Sequence, residues 1–269
     1  MTKTLLIFLF SDRIDPYVNV IAHTFDKMQV DAVKLIHIKD TKTGLSEKQA
    51  SWVYNNIWNL IEALSEDYYI DYSNYTKLES QGGTTSRQEL KQKNNLDIYK
   101  RINERLTEQS LVRLDYSELK EGLSQIIKNV GGSKFCLLDL TSATKVPSID
   151  IFSVCLALGV KSVYTFELVD RPDPKNPEAS LYHSLNENNF SYTCISDTTA
   201  VKSSRSALLR KSPLLWYVGI VALIVMLISL YLLVTAGPQS LAVQGLNLGA
   251  AIIGIVTPVF ALLEQRRKD

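Results

Sequence analysis

Two kinds of hydrophobic pattern alternate along the first 170 residues of the chain. Short runs that are apolar at every position, such as LLIFLF at 5–10, are typical of central strands in a parallel sheet covered by helices on both faces. Longer stretches repeat apolar residues every three or four positions, as SEKQASWVYNNIWNLIEAL does at 46–64, and predict amphipathic helices. The alternation predicts an α/β domain with a mostly parallel, Rossmann-like sheet.

The same patterns give approximate bounds for each element. The predicted strands are 5–10, 32–38, 111–116, 134–140, 162–169 and 190–195. A first helix has Pro16 in its first turn, and the others are 46–64, 97–109, 117–130 and 146–159, the last of them buried. Gly131 and Gly132 should end the fourth helix. The stretch 65–94 gives no clear pattern, and RPDPKNPEAS at 171–180 is predicted to be an exposed loop.

The C-terminal quarter of the chain has a different pattern. Residues 213–263 contain no Asp, Glu, Lys or Arg, and they divide into LLWYVGIVALIVMLISLYLLVTA at 214–236 and a second apolar stretch at 241–263. Each stretch is long enough to cross the hydrocarbon core of a bilayer as a helix. We therefore expect a two-helix transmembrane hairpin; the alternative is one membrane helix followed by an interfacial segment.

Basic residues flank this hairpin at both ends, whereas the turn between its helices carries no charge. The positive-inside rule then places both termini in the cytoplasm, and we expect the membrane to be the plasma membrane. The expected organisation is a cytosolic domain at 1–196, a basic linker at 197–212, two transmembrane helices at 213–263 and a cytoplasmic tail at 264–269.

The second membrane stretch contains residues suited to helix association. Small residues spaced like a GxxxG motif allow close approach of two helices, and polar side chains in hydrocarbon need a polar partner or water. We predict that these residues pack helices together or line a pore: Gln244, Gly245, Asn247, Gly249, Gly254 and Thr257.

The charge balance changes what the soluble part is expected to bind. The whole chain has a formal charge of +1, but the basic residues cluster around the membrane stretches, so that residues 1–200 carry a net charge of −4. A mildly acidic domain is a poor binder of duplex nucleic acid. The three cysteines, Cys136, Cys155 and Cys194, lack metal-binding spacing and are interpreted as reduced packing residues.

One loop carries polar chemistry between two apolar elements. The sequence LLDLTSATKVPSID places Thr141, Ser142, Thr144 and Lys145 after a central strand and before a helix. Ligands of parallel sheets bind at the carboxyl ends of strands, and a helix N-terminus favours phosphate. The first strand should end nearby, which adds Ser11, Asp12 and Arg13. The alternative is that Asp139, Thr141 and Ser142 only cap the helix.

The segment from Asp139 to Lys145 also resembles the signature loop of CARF domains, the ligand sensors of CRISPR-associated systems. Members often have D-x-T-G-G-T-K there, and this chain has Ser142 and Ala143 in place of the two glycines. The resemblance covers residues 1 to about 170, except for 65–110. It implies a cyclic oligoadenylate ligand of type III CRISPR antiviral defence, with tetra-adenylate favoured over hexa-adenylate, bound across a homodimer or higher homo-oligomer. The implied ligand contacts are Thr141, Ser142, Thr144 and Lys145, with Ser11, Asp12 and Arg13 added by position.

No nuclease motif accompanies this loop. None of the three histidines stands four to six residues after an arginine, and metal-ligand spacings and a Walker A loop are missing from the sequence. We therefore predict no catalytic residue, metal or cofactor. Three hypotheses remain: a membrane effector in which ligand binding rearranges the hairpin and depolarises the membrane, an anchored adaptor, or an anchored ring nuclease that slowly degrades its own ligand.

Overall fold

The computed structural model describes residues 3–39, 44–72, 87–171, 173, 176–199 and 201–203. The main sheet has six strands: β1 (Thr4–Leu9), β2 (Ala32–Lys39), β5 (Glu108–Asp115), β6 (Cys136–Asp139), β7 (Val163–Leu168) and β8 (Phe190–Cys194). Their order is β5-β2-β1-β6-β7-β8, and all neighbours are parallel except β7 and β8. This is the mostly parallel, Rossmann-like α/β sheet that the sequence predicts.

Helices cover both faces of this sheet. They are α1 (Asp15–Met28), α2 (Glu47–Ser65), α3 (Asp97–Arg105), α4 (Leu119–Asn129) and α5 (Lys145–Ala157). One core contains Leu5, Ile7 and Leu9 of β1 with the inward residues of α1, α2 and α3, whereas the other contains Leu6 and Phe8 with α4 and α5. All five of these β1 side chains are at most 1 % exposed, which explains why this strand is apolar at every position.

The helix predicted at 46–64 forms as α2, because its N-terminus is capped and one of its faces is apolar. Ser46 and Gln49 form a reciprocal capping box at its start. The inward stripe is completely buried and consists of Val53, Ile57, Leu60, Ile61 and Leu64. Trp52 and Trp58 are partly buried and pack against the same core.

Three details of the sequence prediction are wrong. The helix predicted at 97–109 ends at Arg105, because Glu108–Asp115 pairs with β2 along its whole length. The helix predicted to be buried, now α5, leaves Val146 68 % and Ile149 63 % exposed. The loop predicted to be exposed at 171–180 ends in a 3-10 turn, Pro177–Ser180, whose Glu178 is buried because its carboxylate accepts the backbone N–H groups of Lys91 and Gln92.

The unassigned stretch at 65–94 contributes two short strands to a separate antiparallel sheet, β3 (Tyr68–Ile70) and β4 (Arg87–Glu89). The chain divides into two compact units, Met1–Ser196 and Asp197–Asp269, and both cores belong to the first. In the second unit Lys202 forms an ion pair with Asp197 at 3.1 Å.

Across the part of the chain that the structure describes, no helix has the length and hydrophobicity needed to cross a bilayer. The predicted hairpin at 213–263, with Gln244, Gly245, Asn247, Gly249, Gly254 and Thr257, lies outside the described residues, as do most of the linker and the tail.

Candidate functional site

The strand order reverses next to β1, and this reversal defines the candidate site. β1 lies between β2 and β6, and the chain leaves β1 toward α1 on one face but leaves β6 toward α5 on the other. Such a switch point opens a crevice at the carboxyl ends of the two strands. The switch-point loops, 10–14 and 140–144, therefore lie side by side, as the sequence predicts.

The Ser142 side chain fastens these two loops together. Its hydroxyl donates a hydrogen bond to the carbonyl oxygen of Phe8 at 2.6 Å and accepts one from the N–H of Phe10 at 3.3 Å. Both partners belong to the end of β1. A glycine at this position could not make either bond, so Ser142 stabilises the juxtaposition of the loops in this chain.

Thr141 fastens the second loop to the next strand. Its hydroxyl accepts a hydrogen bond from the N–H of Phe166 in β7 at 2.8 Å. Neither Thr141 nor Ser142 caps α5: the N-cap residue is Thr144, and its side chain makes no capping hydrogen bond. The helix-cap alternative for Thr141 and Ser142 is therefore wrong, and their hydroxyls serve instead to hold the loop between β1 and β7.

The groups that are presented to solvent come from the start of α5 and from the first loop. Thr144 and Lys145 are exposed at the N-terminus of α5, and Arg13 is exposed in the loop after β1. The Ser11 hydroxyl accepts the N–H of Arg13 at 3.2 Å, and Asp12 beside them is half-buried. Backbone N–H groups in a first helical turn lack helical acceptors. Two cations and a helix N-terminus thus border the crevice, which suits an anion.

Tyr17, which the sequence analysis did not single out, holds the first loop in place. From the first turns of α1, its hydroxyl donates to the carbonyl oxygen of Ser11 at 2.8 Å and accepts the N–H groups of Ser11 at 3.0 Å and Phe10 at 3.3 Å. Burial raises the pKa of Tyr17 to about 12, so that its hydroxyl keeps its proton. An inward-facing tyrosine just after the loop is the only sequence signal for this role.

Asp139 is a buried carboxyl directly below the second loop. It is 0 % exposed, and its Oδ1 accepts the N–H of Thr141 at 3.0 Å. Burial raises the pKa of this carboxyl to about 6, while hydrogen bonds from Thr141 and contact with Tyr192 act in the opposite direction. Burial destabilises the charged form of a carboxyl, and no cation in the described part of the chain offsets the effect at Asp139.

A second carboxyl with a raised pKa lies in the first turn of α1. Burial, and then the charge of Asp71, raise the pKa of Asp15 to about 7. The Tyr69 hydroxyl in β3 donates to its Oδ2 at 3.5 Å. Asp15 directly follows the first switch-point loop and stands two residues after Arg13. Its negative charge therefore contributes to the electrostatic potential at the crevice.

The three histidines have structural contacts elsewhere. His37 Nε2 lies 2.7 Å from the Leu45 carbonyl oxygen, and His183 Nδ1 lies 3.2 Å from the Tyr99 hydroxyl. His23 packs against the rings of Tyr182, Phe190 and Tyr192. A small cavity of about 220 Å³ lies beside the end of β7 and is lined by none of the predicted site residues.

The chain is distantly similar to a protein of known structure. No family model and no curated protein matches the chain. Among solved structures, the chain is similar to Enterococcus italicus Csm6 bound to cyclic hexa-2'-fluoro-hexa-dAMP, with 13 % sequence identity and a TM-score of 0.40. The match covers 100 % of this chain and 59 % of that chain, so this chain corresponds to less than two thirds of Csm6. At this identity and TM-score, the likeness is too distant to transfer a ligand or an activity.

Proposed function

We propose that the Met1–Ser196 unit is a sensor that binds a cyclic oligoadenylate at the switch-point loops. The observation that carries the proposal is the pairing of two firmly held loops with an uncapped helix N-terminus and two exposed cations, Lys145 and Arg13. This arrangement suits the phosphodiester groups of a nucleotide. Among nucleotides, a cyclic oligoadenylate is favoured because the segment from Asp139 to Lys145 resembles the signature loop of CARF domains.

In this proposal the loop residues have two different roles. Ser142 and Thr141 have their hydroxyls committed to Phe8 and Phe166, so they hold the loop and meet the ligand only through their backbone. Lys145 and Arg13 neutralise phosphate charge. Ser11 and Asp12 belong to the first loop, where Asp12 is placed to accept a hydrogen bond from a ribose or adenine group.

A direct binding measurement tests the proposal. The full chain in detergent should bind cyclic tetra-adenylate with a dissociation constant in the micromolar range or below, and more tightly than cyclic hexa-adenylate. Linear tetra-adenylate of the same composition is the control, and it should bind more weakly because it is not preorganised. Absence of binding by both rings would refute the sensor function, and chromatography of the recovered ligand would show whether the ring is cleaved.

The outer face of α5 supports a homodimeric sensor. Apolar residues occur on every side of this helix, interspersed with Ser148, Asp150 and Ser153, whereas a surface helix of a monomer usually has one distinct polar face. Its inner side packs on the sheet through Ile151 and Cys155, and Val146 and Ile149 remain exposed next to Lys145. A second copy placed there would bring two symmetric sets of switch-point loops to one ring-shaped ligand.

Replacing Ile149 with glutamate should therefore convert the dimer to a monomer, because two carboxylates would be buried at a symmetric contact. We expect sedimentation of the detergent-solubilised chain to show the loss of the dimer, and ligand affinity to fall at least about tenfold as half of each site is lost. Val169 is equally exposed, at 67 % against 63 %, and Val169→Glu is the matched control that should remain dimeric. An Ile149→Glu protein that stays dimeric would exclude this face of α5 as the interface.

For the output of the sensor we propose the membrane hairpin predicted at 213–263. Its sequence supports this role, since the chain contains no nuclease motif and the second apolar stretch carries Asn247 among small residues. Ligand binding to the sensor would rearrange the hairpins of an oligomer and depolarise the membrane. Loss of membrane potential in cells that make the ligand is the measurement that distinguishes this effector from an anchored adaptor.

A further inference from the structure

The buried Asp139 has an incomplete set of hydrogen bonds. Its Oδ1 accepts the N–H of Thr141, but within the described part of the chain Oδ2 has no partner of normal geometry, and neither has the Tyr192 hydroxyl. The two groups are neighbours, since burial and then the Asp139 charge raise the pKa of Tyr192 well above its usual value. A proton on Oδ2 would therefore have an acceptor beside it.

Among the described residues, the groups around Asp139 are tyrosines, and none of them is a cation. In the sheet it pairs with Ile7 of β1 and with Tyr164 of β7, and Tyr164 stacks on Tyr192 of β8 at 5.0 Å. From α1, Tyr17 lies close enough for the Asp139 charge to raise its pKa, after burial. His23 lies one ring further away, against Tyr192, and burial lowers its pKa. Within the described residues, only hydrogen bonds from Thr141 and contact with Tyr192 counteract the effect of burial on a negative charge at Asp139.

This carboxylate competes with any anion in the crevice. It holds the Thr141 N–H of the second switch-point loop, and its own position directly precedes that loop. An arriving phosphate brings a second negative charge close to the first. Repulsion between like charges raises the pKa of the buried group, and the two events are then linked.

We propose that the switch-point loops bind their polyanionic ligand together with one proton, which is taken up by Asp139. The inference rests on the proposed function, because it concerns the same site and the same class of ligand, and it adds a regulation of that site by pH. Protonation removes the competing charge and weakens the hold of the carboxyl on the Thr141 N–H, which then can donate to the ligand.

The direction of the effect follows from the pKa of the free site, which burial raises from 3.8 to about 6. Ligand binding raises it further, so affinity increases as the pH falls through neutrality toward about 6 and levels off on both sides of this window. By reciprocity the ligand favours the protonated carboxyl by the same factor. The phosphodiester groups of the ligand keep their charge throughout this range.

Calorimetry with cyclic tetra-adenylate tests the inference on the full chain in detergent. Affinity should be about fivefold higher near pH 5.5 than near pH 8, and buffers of different ionisation enthalpy should reveal proton uptake on binding near pH 7. In Asp139→Asn, whose amide oxygen can still accept the Thr141 N–H, most of the pH slope and of the proton uptake should disappear. Its affinity near pH 8 should rise to that of the parent protein near pH 5.5.

Asp15→Asn is the matched control, because Asp15 titrates in the same range and lies near the same loops. This variant should keep most of the pH slope. An identical slope in the parent protein and in Asp139→Asn would overturn the inference and leave the sensor function intact. Failure of the parent protein to bind either ring at any pH would overturn both.

A stability measurement shows that Asp139→Asn is folded and provides an independent check. The folded protein binds the Asp139 proton more tightly than the unfolded chain does, so this group lowers the free energy of unfolding as the pH rises from about 4 to about 6. Above that window, Asp139→Asn should be more stable than the parent protein in urea unfolding, and below it the two should be equal. A variant that is less stable at every pH would indicate a structural carboxylate and overturn the inference.

Discussion

Replacing Lys145 with alanine is expected to weaken binding of cyclic tetra-adenylate by about 10- to 100-fold, which is the scale of one charge-assisted hydrogen bond to phosphate, about 1.5 to 3 kcal/mol. Lys145 is exposed at the first position of α5. Its removal therefore exposes no buried partner, and the free energy of unfolding should change little. Titration calorimetry and urea unfolding on the same preparation separate the two effects.

Lys161 provides the matched control for this substitution. It is exposed as well, but it precedes β7 and so lies at the opposite edge of the sheet from the switch-point loops. Lys161→Ala removes one positive charge from the same domain and should leave affinity unchanged within about twofold, since exposed charges at this distance are screened by salt. If Lys145→Ala also left affinity unchanged, Lys145 would have no part in the site.

The sheet could be predicted because its strands are buried on both faces. From Leu5 to Phe10 every residue belongs to one of the two cores, so the sequence has no polar position in this stretch. The bounds of α3 were harder to predict, since the polar and apolar residues of 97–109 continue a helical period. Pairing with β2 outweighs that local preference from Glu108 onward.

The outer face of α5 is a case in which amino-acid composition does not distinguish burial within the chain from burial against another molecule. A helix without a distinct polar face can be covered by its own chain or by another molecule, and both give the same sequence pattern. Only the packing of Ile151 inward and the exposure of Ile149 distinguish the two cases.

The position of the candidate site could be predicted from the order of the strands. The hydrogen bonds that its side chains make could not. The hydroxyls of Ser142 and Thr141 were expected to face a ligand, and they bond instead to residues 134 and 25 positions away along the chain. Such partners depend on tertiary packing, which no local motif encodes. The same applies to Tyr17, whose role is defined by three contacts to the loop before its own helix.

The same contacts show what a serine adds at position 142, where the CARF signature loop that this segment resembles often has a glycine. The Ser142 hydroxyl ties the second loop to Phe8 of β1 and to Phe10 of the first loop. A loop that is held by side chains has less freedom to close around a ligand, but it needs less ordering when the ligand arrives. The exposed donors of Thr144 and Lys145 then remain as the adaptable part of the site.

Inserting about ten glycine and serine residues between Lys202 and Lys211 is expected to abolish ligand-triggered depolarisation while leaving ligand binding intact. The proposed mechanism requires it, since this segment is the only covalent route from the sensor to the predicted hairpin. A ligand shifts an equilibrium only through its different affinity for two states, and a flexible coil no longer couples the state of the sensor to that of the hairpin.

The same insertion placed after Asp269 is the control, because it lengthens the chain without entering that route, and the response there should be preserved. Calorimetry with cyclic tetra-adenylate verifies that both proteins still bind, and a potential-sensitive dye in ligand-producing cells reports the output. An adaptor or a ring nuclease that is merely anchored tolerates a longer tether, since its activity does not depend on linker stiffness. Full depolarisation with the flexible linker would therefore rule out mechanical coupling. Ligand binding that persists without depolarisation would support it.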